Sequence, residues 1–532
     1  MSVRVVSIVL ALTVRCRDTL RQSTANGLAR KVLITSEMAN FTRASLFLPA
    51  AVRQGLTLLS GSTLAQLIPA VAAPIVTRLY SPTDFGTFAF VLAIFGVLAP
   101  VTCMRYELAI MLPEDDERAT HLTALCLIVA VTISVLSFLI PAIVWLFIPG
   151  IRFQTFSPLL LAMLPAGIIM LGIQLVAQNW SLRVRNYRVQ SFAMIVQAFV
   201  TIASQTLMGA ALGSSPYFLI IGTLAGYLAL VIIYIPLIQK EILPRLEKYH
   251  SLDAALRMGR LFLRFPLYTG PYAFAAQASL RGVFLVLAAL TSTAIVGQYA
   301  LAQRVIFLPV VTLMAAASQI FFSRAAQQLD HPRMPTIVRT LLIAGPLTVG
   351  PFFMMIFLFG EPIFGTLFGK EWQQAGRFAG ILAFPSMAKS LTAWLDRVYD
   401  IRGRQRFALL NEACYAAIAL AATYATLRIS GDPELAVWTY AATTVLYYVV
   451  WLLCSLWVAR FDLRIGGDFV LTSAAMALFI IGADRLLQWV SAGTAIRLMG
   501  DALVATPVVG AGLWFAIRRM RDEGPSLEPV SL

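Results

Sequence analysis

Long apolar stretches recur from residue 56 almost to the C-terminal end, and positive charge collects in alternate gaps between them. Fourteen stretches, the first at 56–77 and the last at 497–517, each approach the roughly 20 residues that a helix needs to cross a bilayer. Hydrocarbon holds no water to satisfy backbone N–H and C=O groups, so each segment must satisfy its own and reads as a helix. The pattern predicts an all-α polytopic membrane protein with about 14 transmembrane helices. Apolar residues make up 59% of the 532 and charged residues 13%. With a mean hydropathy of +0.80, this composition excludes an ordinary soluble domain.

A net charge of +15 fits either nucleic acid or a membrane surface. Here Lys and Arg are spread over many short gaps rather than gathered on one face, so membrane lipids are the expected partners and nucleic acid is not. Counted from Met38, one set of gaps together with both termini holds 25 of them, and the other set holds seven. That asymmetry places both termini in the cytoplasm, which only an even number of spans allows. Five cysteines lie far apart with no CxxC pair, and the three histidines (His121, His250, His331) have no ligand spacing. No metal site or disulfide framework is therefore expected. Walker A, GxSxG and GxGxxG motifs are missing, and no cofactor is expected.

Residues 1–50 stand apart as an extension expected to be disordered or to reflect a mis-assigned start. Val5 to Val14 is an apolar run of ten, too short to span, and no small-residue cleavage site follows closely. Met38 is the expected natural beginning.

Phe85-Gly86-Thr87-Phe88-Ala89 opens the second stretch, and Val296-Gly297-Gln298-Tyr299-Ala300 opens the eighth, 211 residues later. Two six-helix lobes in pseudo-symmetric repeat account for this spacing, a common transporter plan with the substrate site between the halves. The expected organisation is a first lobe at 51–238, a cytoplasmic linker at 239–265, a second lobe at 266–458, and two further helices with a cytoplasmic tail at 459–532. Within the linker, Leu252, Leu256, Gly259 and Leu263 share a helical face beside Arg257, Arg260 and Arg264. That pattern suits a helix on an anionic inner leaflet, or a solvated linker helix.

Three basic residues fall inside spans: Arg281, Arg304 and Lys389. A charge at mid-bilayer costs at least about 2.5–3.5 kcal/mol, so such residues face a cavity or a partner. All three lie in the second half, where acids are few; the nearest to Lys389 is Asp396, two turns on along the same face. An excess of unpaired positive charge implies an anionic ligand, most simply a phosphate or diphosphate. A competing reading has Arg304 snorkel to the outer interface, about two turns away. In the first half Arg78 ends the first span, and Arg105 with Glu107 marks the inner end of the second. Glu107, Asp396, Glu412 and Arg105 are the candidates for coupling or gating. The run Glu114-Asp115-Asp116-Glu117 reads as a solvated cytoplasmic loop rather than a metal site, because no nucleotide-binding domain accompanies it.

Two blocks carry a family resemblance. The first is Thr77-Arg78-Leu79-Tyr80-Ser81-Pro82-Thr83-Asp84-Phe85-Gly86, followed by Arg105-Tyr106-Glu107-Leu108-Ala109-Ile110. The second is Phe265-Pro266-Leu267-Tyr268, then Val296-Gly297-Gln298-Tyr299-Ala300-Leu301-Ala302 with Arg304 and Leu308-Pro309. From about residue 50 onward the chain resembles bacterial lipopolysaccharide and exopolysaccharide (O-antigen type) flippases of the multidrug/oligosaccharidyl-lipid/polysaccharide exporter superfamily. The resemblance implies twelve to fourteen helices in two lobes around a central cavity, with basic cavity residues matching Arg281, Arg304 and Lys389. It implies a non-enzymatic transporter of the bacterial inner membrane. Its substrate would be an undecaprenyl-diphosphate-linked oligosaccharide, moved to the periplasmic leaflet by alternating access, with polysaccharide polymerase and other assembly proteins as partners.

Residues and resemblance together place the diphosphate among Arg281, Lys389, Arg304 and Arg78. A multidrug or cation exporter of the same superfamily should carry prominent acids in spans one to six, which are lacking. A membrane polysaccharide polymerase or ligase should carry a large external loop, whereas the outer gaps are short.

Overall fold

The computed structural model describes residues 50–139, 163–249, 251–490 and 494–522, so the expectation for 1–50 falls almost wholly outside it. Among the described residues there are long helices and no strands. The first six are α1 (Ala50–Leu79), α2 (Pro82–Leu98), α3 (Asp116–Leu136), α4 (Leu164–Arg183), α5 (Tyr187–Leu212) and α6 (Pro216–Leu237). The next six are α7 (Gly270–Leu290), α8 (Thr293–Gln328), α9 (Met334–Leu367), α10 (Gln373–Thr392), α11 (Gln405–Ser430) and α12 (Pro433–Ala459). Last come α13 (Arg464–Val490) and α14 (Thr494–Asp522). Each overlaps one of the expected apolar stretches. Among the described residues ten segments are long and apolar enough to cross a membrane; α2, α4, α8 and α10 are not among them, α2 being a shorter apolar helix. The protein is a multi-pass all-α membrane protein.

The same packing order recurs in the two sets of six. In the first, α1 lies on α5, α5 on α6, α6 on α4 and α4 on α3; in the second, α7 lies on α11, α11 on α12, α12 on α10 and α10 on α9. Helices α13 and α14 pack on α9. Large apolar side chains such as Phe199, Leu207, Leu410, Ile418 and Leu446 remain exposed on the outer helix faces, where a lipid environment replaces the water that would penalise them.

The two halves meet along α2, which packs against α7 and α8. Local sequence sets this junction. Ser81 caps α2 by accepting from the Asp84 N–H (3.2 Å), and Ser292 caps α8 by accepting from the Ile295 N–H (3.5 Å). The 211-residue offset thus extends to the capping serines. Five residues beyond each cap stands a glycine. A Cβ on Gly86 would lie 1.7 Å from the Thr293 carbonyl oxygen, and one on Gly297 would lie 1.9 Å from that of Pro82. Two helix ends touch backbone to backbone here because neither residue has a side chain. Trp372 closes the same end: its indole N–H donates to the Thr77 carbonyl (3.1 Å) and its ring meets Phe85 edge-on at 5.5 Å.

The opposite end of the first half is built differently. After α2 the chain turns through Met104 (φ 49°) and Arg105 (φ 63°) into the short turn Tyr106–Met111. The acidic run that follows is structural as well as solvated. Asp115 caps α3, accepting from the Arg118 N–H at 2.7 Å, and Asp116 receives Arg183 at 3.0 Å and Arg245 at 3.2 Å. The Arg183 guanidinium also donates to the carbonyls of Ile110, Pro113, Glu114 and Asp115, collecting acceptors that the turn would otherwise leave unpaired.

The linker forms a helix at Leu252–Leu261, but its protein-facing side is not the leucine side. Ala255 and Gly259 are buried against α3, with the Tyr106 hydroxyl donating to the Gly259 carbonyl (3.1 Å). Leu252, Leu256 and Leu263 stay exposed, as do Arg257, Arg260 and Arg264.

Overpacking at the inter-half junction should be costly. Gly297→Leu is expected to destabilise the protein by about 1–3 kcal/mol or force the outer ends of α2 and α8 apart. It should lower the thermal unfolding midpoint of purified protein and expose Trp372 to aqueous quenchers; an unchanged midpoint and quenching profile would contradict the contact.

Candidate functional site

One cavity of about 210 Å³ opens within the second half, lined from α7, α8, α10, α11, α12 and the turn that extends α10 to Asp396. Lys389, Asp396 and Glu412 all line it. The Lys389 ammonium sits 5.0 Å above the Phe307 ring, and the acid acting on it electrostatically is Glu412 of α11. Asp396, expected to be the nearest acid, lies on the same wall and 3.7 Å from Arg397. Glu412 is buried; one carboxylate oxygen accepts from the Ser279 hydroxyl (3.1 Å) and the other from the Tyr447 hydroxyl. Aromatic side chains make up much of the remaining wall: Tyr272, Tyr415, Tyr440, Tyr447, Tyr448 and Trp451. Tyr415 and Tyr447 stack at 3.9 Å, and the Tyr415 hydroxyl pairs with that of Thr444 at 2.9 Å.

Arg281 does not line this cavity. It stands eleven residues into α7, about 16 Å along the helix axis and within the apolar segment Phe265–Leu290. Its side chain lies against Gly96 of α2, where an added Cβ would come within 3.2 Å of Nε. That places a guanidinium at the junction of the two halves. Among the described residues no carboxylate pairs with it, and Nε is buried without a hydrogen-bond acceptor. Its polar neighbours are Tyr227 of α6 and Tyr299 of α8. The Tyr299 hydroxyl is likewise buried without a partner. Tyr227 is held by its ring against Phe95 of α2 at 5.6 Å, so α6, α7 and α8 each contribute to one small polar cluster that rests on Phe95 and Gly96 of α2.

The other expected site residues lie elsewhere. Arg304 is half-buried eleven residues into α8, about 16 Å from its N-terminal end. That is a full turn deeper than expected, because α8 begins at Thr293. Arg78 is exposed at the end of α1, in a shallow apolar groove it shares with Thr366 and Leu367 of α9. Arg105 and Glu107 form a local pair at 3.5 Å. Glu107 is 1% exposed; burial pushes its carboxyl above the usual range, against the opposing pull of Arg105. The structure therefore brings Lys389, Asp396 and Glu412 together, and keeps Arg281, Arg304, Arg78 and the Arg105–Glu107 pair apart from them. Among the described residues no group of three or more His, Cys, Asp or Glu is placed to hold a metal ion.

Inspection for charges overlooked the tyrosines. Tyr440, Tyr447 and Tyr448 fall at i, i+7 and i+8, one face of α12, and that periodicity was the available signal. Tyr299 stood in the repeat at Val296-Gly297-Gln298-Tyr299-Ala300 with nothing to link it to Arg281, and Tyr227 carried no signal, because its meeting with Arg281 depends on the contact between halves.

The fold is similar to that of the lipid II flippase MurJ in an inward closed conformation, with a TM-score of 0.64, 12% identity, and coverage of 88% of this chain and 99% of that one. A Vibrio cholerae MATE transporter, VcmN, is also similar, at a TM-score of 0.49 and 14% identity over 79% of this chain and 97% of that one. No curated protein matches the chain in sequence. The family described as polysaccharide biosynthesis protein matches residues 75–377, from the C-terminal end of α1 to the start of α10 and more than half of the chain, and the protein belongs to that family.

Proposed function

We propose that this protein flips undecaprenyl-diphosphate-linked oligosaccharide units from the cytoplasmic to the periplasmic leaflet of a bacterial inner membrane, with both termini in the cytoplasm. The observation that carries the reading is Arg281: a guanidinium at mid-depth, at the junction of the halves, with no acid to pair it and an unpartnered tyrosine hydroxyl beside it. Burying such a cation without a ligand costs several kcal/mol, and a phosphate oxygen arriving there repays the cost with a charge-assisted hydrogen bond. Arg281 and Tyr299 are the diphosphate contacts; Arg304, at similar depth on α8, is the next cation along the path. Exposed Arg78 meets the headgroup at the outer leaflet, with the groove between α1 and α9 beside the lipid tail.

The two six-helix halves act as rocking lobes. In the conformation described, the outer ends of α2 and α8 are closed at the Gly86–Gly297 contact. A headgroup held by Arg281 touches both halves, so its binding energy differs between inward- and outward-open states. Only that difference shifts the equilibrium between them. Glu107, Arg105, Asp396 and Glu412 are the groups available for coupling or gating, and a polysaccharide polymerase is the natural recipient of the product. A cation exporter is the second reading, favoured by the two carboxylates on the aromatic cavity wall.

Arg281→Ala should abolish surface polysaccharide export while leaving the amount of membrane-inserted protein unchanged; full export would remove Arg281 from the site. Arg78→Ala, at an exposed position, should slow export a few-fold without abolishing it. Complete loss of export at normal protein levels would mean Arg78 belongs to the central contact.

A further inference from the structure

Resting on the transport reading above, we propose that the cavity of the second half is a subsite for one uncharged sugar ring of the lipid-linked oligosaccharide, separate from the diphosphate contact at Arg281. Size is the first argument. A volume of about 210 Å³ is below the roughly 300–1,000 Å³ of pockets that enclose drug-sized ligands, so the cavity admits a single ring.

Surface chemistry is the second. Sugar rings present weakly polar C–H groups on one face and hydroxyls around the rim. Aromatic side chains attract the former through their electron-rich faces, and Tyr272, Phe307 and Tyr448, all half-buried, stand on the wall. Hydroxyls need both donors and acceptors close by. The Lys389 ammonium can donate, and the Glu412 carboxylate, already engaged by one hydroxyl on each oxygen, keeps lone pairs free to accept more. Charged groups make the stronger hydrogen bonds, and this cavity has them on adjacent helices.

Charge balance selects the class of ring. Two carboxylates line the wall, Glu412 acting on the Lys389 ammonium and Asp396 lying 3.7 Å from Arg397, so the wall as a whole is not cationic. A uronic acid or a phosphate would add negative charge beside those carboxylates, and an organic cation would meet Lys389. An uncharged hydroxylated ring meets neither penalty. Position agrees: Ser279 and Leu280 line the cavity and Arg281 follows them directly on α7, so a headgroup held at Arg281 has its first sugars within reach.

The test is ligand binding by the full chain in lipid nanodiscs. Trp451 fluorescence, isolated as the difference from Trp451→Phe protein, is titrated with N-acetylglucosamine, glucose, glucuronate and tetraphenylphosphonium; pyrophosphate binding is followed separately by calorimetry. Saturable quenching by at least one uncharged sugar is expected, with glucuronate and tetraphenylphosphonium at least tenfold weaker. Tyr448→Ala and Glu412→Gln should each weaken sugar binding about tenfold or more, and Tyr448→Phe, which keeps the ring, should restore it. Pyrophosphate binding should survive Tyr448→Ala and vanish in Arg281→Ala, so its absence from wild-type protein would count against the diphosphate reading alone. Equal or tighter binding of glucuronate or tetraphenylphosphonium would overturn the subsite, as would no response to any uncharged sugar.

Discussion

A cation without a counter-charge at the centre of a membrane protein is the constraint around which this structure is arranged. Part of the Arg281 guanidinium is buried without an acceptor, and a mid-bilayer charge costs at least about 2.5–3.5 kcal/mol. Arg281 meets that condition on an element that touches both halves, against Gly96 of α2 and beside tyrosines from α6 and α8. An anion entering this place interacts with both halves at once. A ligand confined to one half would be carried along by a rocking motion without biasing it.

Lys389 lies in a different setting, and the contrast is instructive. It faces Glu412 across a cavity within the second half, and its ammonium rests over Phe307. A second basic residue within a span therefore has its charge answered by the protein itself. Placing cations by hydropathy alone treats both as vacant receptors. Their partners separate them, Glu412 on the next helix in sequence and Phe307 two helices back, and those partners are set by the packing of α7, α8, α10, α11 and α12.

Much of the fold was legible in the chain, because length and apolarity are read segment by segment. Each of the fourteen apolar stretches overlaps a helix among the described residues, ten of the segments being long and apolar enough to span, and the repeat announced by Gly86 and Gly297 turned out to be a contact as well as a likeness. A motif offset cannot say that its two copies touch. The linker helix shows the same limit: its leucine periodicity was plain, yet the side that met the protein was Ala255 and Gly259, chosen by close approach to α3 rather than by hydrophobicity. The acidic run from Glu114 to Glu117 looked merely solvated until Arg183 and Arg245 arrived from distant segments. At the site, charges were visible and tyrosines were not, since their roles depend on neighbours from other helices.

The most direct test is transport itself. The protein is reconstituted in liposomes with a polyprenyl-diphosphate-linked oligosaccharide bearing a fluorophore on the sugar, and the fraction reaching the opposite leaflet is followed by dithionite quenching. The account predicts protein-dependent movement that Arg281→Ala eliminates and that excess pyrophosphate slows. Movement unaffected by either, or no movement in vesicles that accumulate an organic cation, would contradict it.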